Sequence, residues 1–392
     1  MSDVTIARMG ERGDGLAEGR AFPRTLPGEV VADDGHVITP SPDRVDPFCP
    51  VFEVCGGCKT QHWSEEPYRA WKTALLADAL KAKGLETKIN PLIDAHGEGR
   101  RRVALHVRKV NGTWRSGFME AGTHELVPLE TCPILVPRLK NAVEIAAQLG
   151  ELFGDCDVAV TAAGNGLDLN IKAERKLADK AAIQFGPYMQ RHGITRMAVN
   201  GEVAGQLQVP VMQMGKGLVN LPIGSFLQAT QLGEETLVRL LAEQLRKVKN
   251  IADLFCGVGP FALRLAEKVA VTAIDSDRNS ISALQLALRY AQGLKPVKAE
   301  VRDLFRNPLT NTELNEFDLV ALDPPRAGAE AQCQWLAKSK VKRVAYVSCD
   351  VQTFARDAAL LVAAGYTLNE VTPVDQFKYS PHLELVAAFS RA

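Results

Sequence analysis

From Gly224 to the C-terminus, short apolar runs alternate with amphipathic stretches, and this alternation limits the fold more than any other feature. The strand-like runs are "IADLF", "VTAID", "DLVALD" and "RVAYVS", with a closing pair of strands near Tyr366 and Leu383. Between them, "GEETLVRLLAEQLRKV", "PFALRLAEKV", "SISALQLALRYAQ", "EAQCQWLAKS" and "VQTFARDAALLVAAG" carry helical periodicity. Strands that are apolar throughout and separated by helices imply a parallel sheet covered on both faces. Residues 224–392 are therefore expected to form a doubly wound α/β domain.

The rest of the chain reads differently. Residues 1–45 are glycine-rich and alternate apolar with polar in short runs, which suggests a small β module. Residues 46–223 combine a helix, Pro67 to Lys83, with strand-rich sequence from Arg101 to Val127, an α+β pattern. Its expected buried face is Ala70, Leu75, Leu76, Ala79 and Leu80. The 46 basic and 46 acidic residues balance, so any polyanion site must be a local patch. The N-terminus lacks a basic-then-apolar signal layout and no apolar run approaches a membrane span, so a soluble, cytoplasmic protein without a membrane partner is expected. In a reducing compartment eight cysteines are read first as metal ligands or catalysts rather than disulfides.

Four sites stand out. In "DLFCGVGPF", Gly257 and Gly259 lie between a strand and a helix, where absent side chains let a ligand approach the backbone. Asp275, 18 residues after Gly257, ends the next strand and could accept from two ribose hydroxyls. Ala262 replaces the third glycine of a dinucleotide fingerprint, which favours a nucleoside without phosphates, such as S-adenosylmethionine, or a purely structural turn. In "LDPPRAG", two prolines stiffen a loop whose Asp323 ends a strand. Cys349 in "VSCDVQ" sits just ahead of a helix, whose amino end would favour a thiolate nucleophile; an inert packing cysteine is the alternative. Cys156, Cys256 and Cys333 read as packing. Finally, Cys49, Cys55 and Cys58 form a C-x5-C-x2-C cluster with Cys132 far downstream, a set that suits zinc or a [4Fe–4S] cluster, the spacing favouring the latter.

Together "CPVFEVCGGC", "ETCPI", "DLFCGVGPF", "LDPPRAG", "VSCD" and "DQFKYSPHLELV" resemble the RNA uracil-C5 methyltransferases that make 5-methyluridine in 23S ribosomal RNA or tRNA. The resemblance runs from about Asp43 to the end, and the N-terminal module resembles a short OB/TRAM-like β-barrel. It implies a Rossmann-like class I methyltransferase domain, Cys349 as nucleophile and Glu384 as general base. It further implies S-adenosylmethionine contacts at Gln228, Phe255, Gly257, Asp275, Asp303 and Asp323, and a [4Fe–4S] cluster on Cys49, Cys55, Cys58 and Cys132. RNA is the implied partner, ribosomal RNA ahead of tRNA, for a monomeric enzyme; a noncatalytic RNA-binding or assembly factor is the competing class. Arg326, standing where cytosine-C5 enzymes carry a second cysteine, counts against that activity. Thr230 stands where the family often has asparagine, Lys378 replaces a common proline, and Pro260 replaces a polar cofactor contact of some relatives. Arg100, Arg101, Arg102, Arg108, Lys109, Trp114 and Arg115 form the expected RNA-binding face.

Overall fold

A computed structural model describes residues 3–174 and 185–392. Its largest sheet has the strand order Val297–Val301, Ala270–Asp275, Asn250–Leu254, Leu319–Leu322, Arg343–Ser348, Glu384–Ser390, Thr367–Asp375 and Lys88–Ile89, with Ile93–Asp94 also pairing to Thr367–Asp375. The first five strands run parallel, and the closing hairpin is antiparallel. This is a doubly wound sheet, as the alternation implied. Along each strand successive side chains enter opposite cores. Ile251, Ala273, Ala321 and Ala345 face helices Gln231–Glu243, Pro260–Leu265 and Arg278–Tyr290. Ala252, Ile274, Val320 and Val344 face Glu330–Lys338 and Val351–Ala363. Both faces are dry, which is why these strands read as unbroken apolar runs.

Strand order reverses between Asn250–Leu254 and Leu319–Leu322, so the connections leave in opposite directions and open a crevice at the strands' carboxyl ends. The glycine turn, the double-proline loop and the cysteine turn all leave from those ends.

The packing crosses the regions read from the sequence pattern. Helix Glu65–Ala82 lies on the second face of this sheet through Leu76 and Leu80, and the short strands at 88–89 and 93–94 extend its edge. Its buried face is also rotated from the expected one: Tyr68, Trp71 and Lys72 are buried, whereas Ala70 is exposed and Leu75 only half-buried. The cause is Lys72, whose ammonium is drawn inward to Asp375 Oδ1 (3.0 Å) and to the carbonyl of His382, while Tyr68 donates to Asp375 Oδ2 (2.6 Å). A buried ammonium is tolerated because it is paired and hydrogen-bonded.

A seven-stranded sheet from Arg102–Val110 to Glu202–Gln206 packs one face on helices Ala142–Phe153 and Phe185–His192. The N-terminal module is two three-stranded sheets of two- and three-residue strands around one small core of Val4, Ile6, Ala17, Phe22 and Val31. Among the described residues no helix is long and apolar enough to cross a membrane.

Candidate active site

Strand Arg343–Ser348 is almost wholly buried and stops at a tight polar turn. Asp350 N–H donates to Ser348 Oγ (3.2 Å), and the Asp350 carboxylate caps helix Val351–Ala363 by accepting from Gln352 N (3.1 Å) and Thr353 N (2.9 Å). Cys349, half-buried, is fixed between these two bonds. The helix end does not lower its pKa as the sequence suggested. Burial first, then the negative charges of Glu384 and Asp323, push the thiol up to about 12, with the Arg326 guanidinium opposing them. Two of the helix's free N–H groups are already satisfied by the Asp350 carboxylate, and burial with the neighbouring carboxylates outweighs the dipole. Cys349 therefore rests as a thiol beside groups able to take its proton.

Those groups arrive through the sheet. Ser348 is in register with Leu385, so the residues one step further, Cys349 and Glu384, leave the pair of strands on the same side of the crevice. Glu384 is buried. Its Oε1 accepts from Gln376 Nε2 (3.1 Å), and among the described residues its Oε2 has no partner. Burial, then the Asp323 charge, raise its pKa well above the usual carboxylate range. Gln376 Nε2 also donates to Gln228 Oε1 (2.7 Å), and Gln228 Nε2 donates to Asp323 Oδ2 (3.3 Å). Gln228, Asp323, Cys349 and Glu384, named from separate motifs, thus meet in one place.

The double-proline loop is braced from below. Gly328 takes a left-handed backbone (φ 76°) that favours glycine. The next N–H, of Ala329, donates to Asp357 Oδ2 (2.6 Å), which also accepts from the buried Tyr346 hydroxyl (2.6 Å). Arg356 ties Asp357 Oδ1 (2.8 Å) to the carbonyl of Ala327 (2.9 Å). Arg326 projects from this loop, exposed, with its guanidinium 3.2 Å from His382 Nε2.

On the other side of the crevice the two glycines have different reasons to be glycine. A Cβ on Gly257 (φ 53°) would meet open space, as a ligand-facing turn requires, and its N–H donates to Asp275 Oδ2 (2.9 Å). A Cβ on Gly259 would lie 2.6 Å from Leu284, so that glycine serves helix packing rather than ligand approach. Phe255 has a left-handed backbone (φ 65°), unusual for a bulky residue, and its ring stands 5.4 Å from that of Phe305. Asp303 folds the turn beneath Phe305 by accepting from the N–H groups of Phe305 (3.0 Å) and Arg306 (3.2 Å). These residues outline a slot with an aromatic wall and an acidic rim, suited to a nucleoside.

Two residues of this region escaped sequence reading. Gln376 lies within "DQFKYSPHLELV", a stretch in which sequence reading singles out only Glu384 and Lys378. Asp253, in "DLFCG", looks like a strand residue but is fully buried; among the described residues neither carboxylate oxygen has a partner at full hydrogen-bonding geometry, and the backbone N–H of Ala262 only partly offsets the burial. Burial, then the charges of Asp323 and Asp275, raise its pKa to about 8. The folded state thus holds this proton after the unfolded chain has lost it. Its contribution is complete below about pH 4 and is lost as pH rises through about 8. Asp253→Asn is expected to flatten that part of the fall in stability, measured as denaturation midpoints at pH 5, 7 and 9; an unchanged pH dependence would refute the assignment.

The cysteines gather elsewhere. Cys49, Cys55, Cys58 and Cys132 line one small cavity of about 70 Å³ with Phe52, Arg100 and Ile134. Gly57 N–H donates to Cys55 Sγ (3.4 Å), and burial first, with the neighbouring sulfurs adding, pushes Cys58 to about 11 and Cys132 to about 12. The four side chains thus face one cavity, though among the described residues no group of three or more His, Cys, Asp or Glu side chains is placed to hold a metal ion. Cys256 and Cys333 are buried core residues, as is Cys156, raised to about 11 by burial and Asp157.

The expected basic face is corrected in part. Arg101 is buried, bonded to Glu234 and to the carbonyl of Gln228 (2.8 Å), so it supports the site from within. Arg102 donates to the Leu227 carbonyl (3.2 Å), and Arg108 pairs with Asp157 (3.3 Å). Lys109 and Arg115 remain exposed, with Lys109 over the ring of Trp114.

With that geometry in hand, comparisons with known proteins converge. Residues 220–391 match the family model for tRNA (uracil-5-)-methyltransferase. An RNA methyltransferase of Caulobacter vibrioides is 44% identical over 100% of this chain and 100% of its own length. A 23S rRNA (uracil(1939)-C(5))-methyltransferase of Shewanella sediminis is 29% identical, covering 89% of this chain and 83% of that one. The crystal structure of Pyrococcus abyssi tRNA (uracil-54, C5)-methyltransferase, in complex with S-adenosyl-L-homocysteine, superposes with a TM-score of 0.75 at 21% identity, covering 99% of this chain and 100% of that one.

Proposed function

We propose a mechanism and a substrate for a chain that belongs to the RNA uracil-5-methyltransferase family and is an S-adenosylmethionine-dependent enzyme of that kind. C5 of uracil is a weak nucleophile. Cys349 adds to C6, its proton passing to a neighbouring carboxylate, and the ring becomes an enolate whose C5 takes the methyl group from the sulfonium. S-adenosylhomocysteine leaves. C5 then carries both a methyl and a proton; Glu384 Oε2 removes that proton, the C6–S bond breaks to give 5-methyluridine and the Cys349 thiolate, and the thiolate takes back the proton it first gave up while the proton on Glu384 passes to solvent. The observation that carries this reading is the arrival of Cys349 and Glu384 side by side from two paired strands, with one oxygen of Glu384 unpartnered among the described residues.

Gln228, Phe255, Gly257, Asp275, Asp303 and Asp323 form the cofactor side in this reading, with Asp323 also within reach of the uracil edge. The RNA is read as 23S ribosomal RNA, supported by the activity named for the Shewanella relative; tRNA is the alternative, supported by the name of the family model. Because the site lies in a crevice, the target base leaves its stack to enter, which costs least in an unpaired loop. Mapping 5-methyluridine by mass in ribosomal and transfer RNA, with and without the gene, tests this: loss from 23S rRNA is expected, and loss from tRNA alone overturns the ribosomal assignment.

Cys49, Cys55, Cys58 and Cys132 are read as ligands of a [4Fe–4S] cluster, which when bound ties the loop before helix Glu65–Ala82 to the segment around Cys132. Protein purified without air is expected to be brown and to contain about four irons per chain. A colourless protein containing zinc would reverse the assignment.

A further inference from the structure

The buried amides behind the catalytic face have only one consistent orientation. Gln376 follows strand Thr367–Asp375 and is completely buried. Its Oε1 faces the backbone N–H of Thr230 (3.5 Å), a group that can only donate, so its Nε2 must face the other way. There it meets two acceptors, Gln228 Oε1 at 2.7 Å and Glu384 Oε1 at 3.1 Å. Gln228, having accepted, must turn its own Nε2 outward, where it meets Asp323 Oδ2 at 3.3 Å. One backbone N–H thus sets the direction of a chain of amides that ends on both acids. Gly233 lies tight against this amide, since a Cβ there would stand 2.6 Å from Gln376 Oε1.

We infer that Gln376 is a positioning residue for proton abstraction: its amide holds Glu384 by Oε1, so that only Oε2 is presented to the substrate, and links that base through Gln228 to Asp323. The inference rests on the role proposed for Glu384. A carboxyl buried beside another carboxylate tends to keep its proton and so to fail as a base; a donated N–H favours the ionised form. Gln376 opposes the rise in the Glu384 pKa in just this way. The other charged or titratable groups around Glu384 are Asp323 and Arg326 from the double-proline loop and Cys349 from the cysteine turn, with Asp350 acting on Cys349 behind it. Below lie His382, whose carbonyl accepts from Lys72, and Asp375, the partner of Lys72. Among these, Arg326 also favours the ionised base, but from an exposed loop.

The test uses the full-length protein carrying Gln376→Met or Gln376→Asn, neither of which can place an N–H on Glu384 Oε1. The substrate is total RNA from a strain lacking the gene. Turnover is expected to fall about 10- to 100-fold, less than removal of a general base itself, with KM for RNA and for S-adenosylmethionine within about threefold. Losing the donor raises the pKa of Glu384, so the acid limb of the kcat profile should move to higher pH, and a covalent RNA–protein adduct should accumulate during turnover. Wild-type kinetics, an unshifted acid limb, or loss of cofactor affinity or of folding in both variants would overturn the inference. The underlying reading is checked separately on the wild-type protein: if no Cys349-dependent adduct forms with 5-fluorouridine RNA, the proposed function falls. If the adduct forms and the Gln376 variants turn over normally, only this inference does.

Discussion

Cys349→Ala is expected to lower methyl transfer by about 10⁴-fold or more while leaving S-adenosylmethionine affinity within about threefold. The thiol contributes a bond rather than a contact. Without addition at C6 no enolate forms, and the C5 of an intact uracil has too little electron density to attack the sulfonium. Cofactor binding should survive, because the slot around Gly257, Phe255 and Phe305 is built on other strand ends and shares no hydrogen bond with the cysteine turn. Alanine is also an easy substitution here, since Cys349 is only half-buried and its turn is held by Ser348 and Asp350. Two measurements decide the matter: single-turnover transfer of labelled methyl, and adduct formation with 5-fluorouridine RNA on a denaturing gel. An adduct that persists in Cys349→Ala would show that another nucleophile is used.

Glu384→Gln should fail in a different way. Addition and methyl transfer precede the step assigned to the base, so this variant should release about one S-adenosylhomocysteine per chain in a burst and then stall, as methylated RNA stays bonded to Cys349. Steady-state turnover is expected to fall about 10²- to 10⁴-fold, the usual contribution of a general base. Removing the Glu384 charge also removes one of the effects that raise the Cys349 pKa, so the burst should not be slowed by a less acidic thiol. Ordinary uridine RNA trapped on the protein is the diagnostic product. Repeated turnover near the wild-type rate, or no trapped RNA, would assign the proton to another group, of which Asp323 is the nearest by charge.

The contrast between these residues and Gln376 shows where sequence reading succeeds. Cys349, Asp323 and Gly257 each lie at the carboxyl end of a buried strand, where apolar run, small residue and helix follow one another within a few positions. Glu384 is legible only through the resemblance of "PHLE" to a motif, because a glutamate opening a strand carries no local sign of burial. Gln376 has no such sign either. Its partners, Gln228 and Thr230, lie nearly 150 residues away, 148 for Gln228 and 146 for Thr230. Lys72 is similar: helical spacing puts it on a solvated face, and only Asp375, 303 residues further on, turns it inward. Arg101 differs from its expected role for the same reason, since an arginine run beside a strand looks like an RNA-binding face until Glu234 claims its middle member.

What the sequence alone determined is whatever short-range chemistry dictates: the strand-and-helix alternation that demands a doubly wound sheet, the glycines and prolines that bend its turns, and the gathering of reactive residues at those turns. Tertiary structure alone decided the electrostatics of the site. It turned the thiol that a helix end should activate into one held protonated first by burial and then by the charges of Glu384 and Asp323, gave Gly259 to packing and Gly257 to the open crevice, and joined two acids through two buried amides. The physical reason is range. Backbone preferences act over a few residues, whereas desolvation and Coulomb interactions depend on what the folded chain places within a few ångströms, however distant along the sequence.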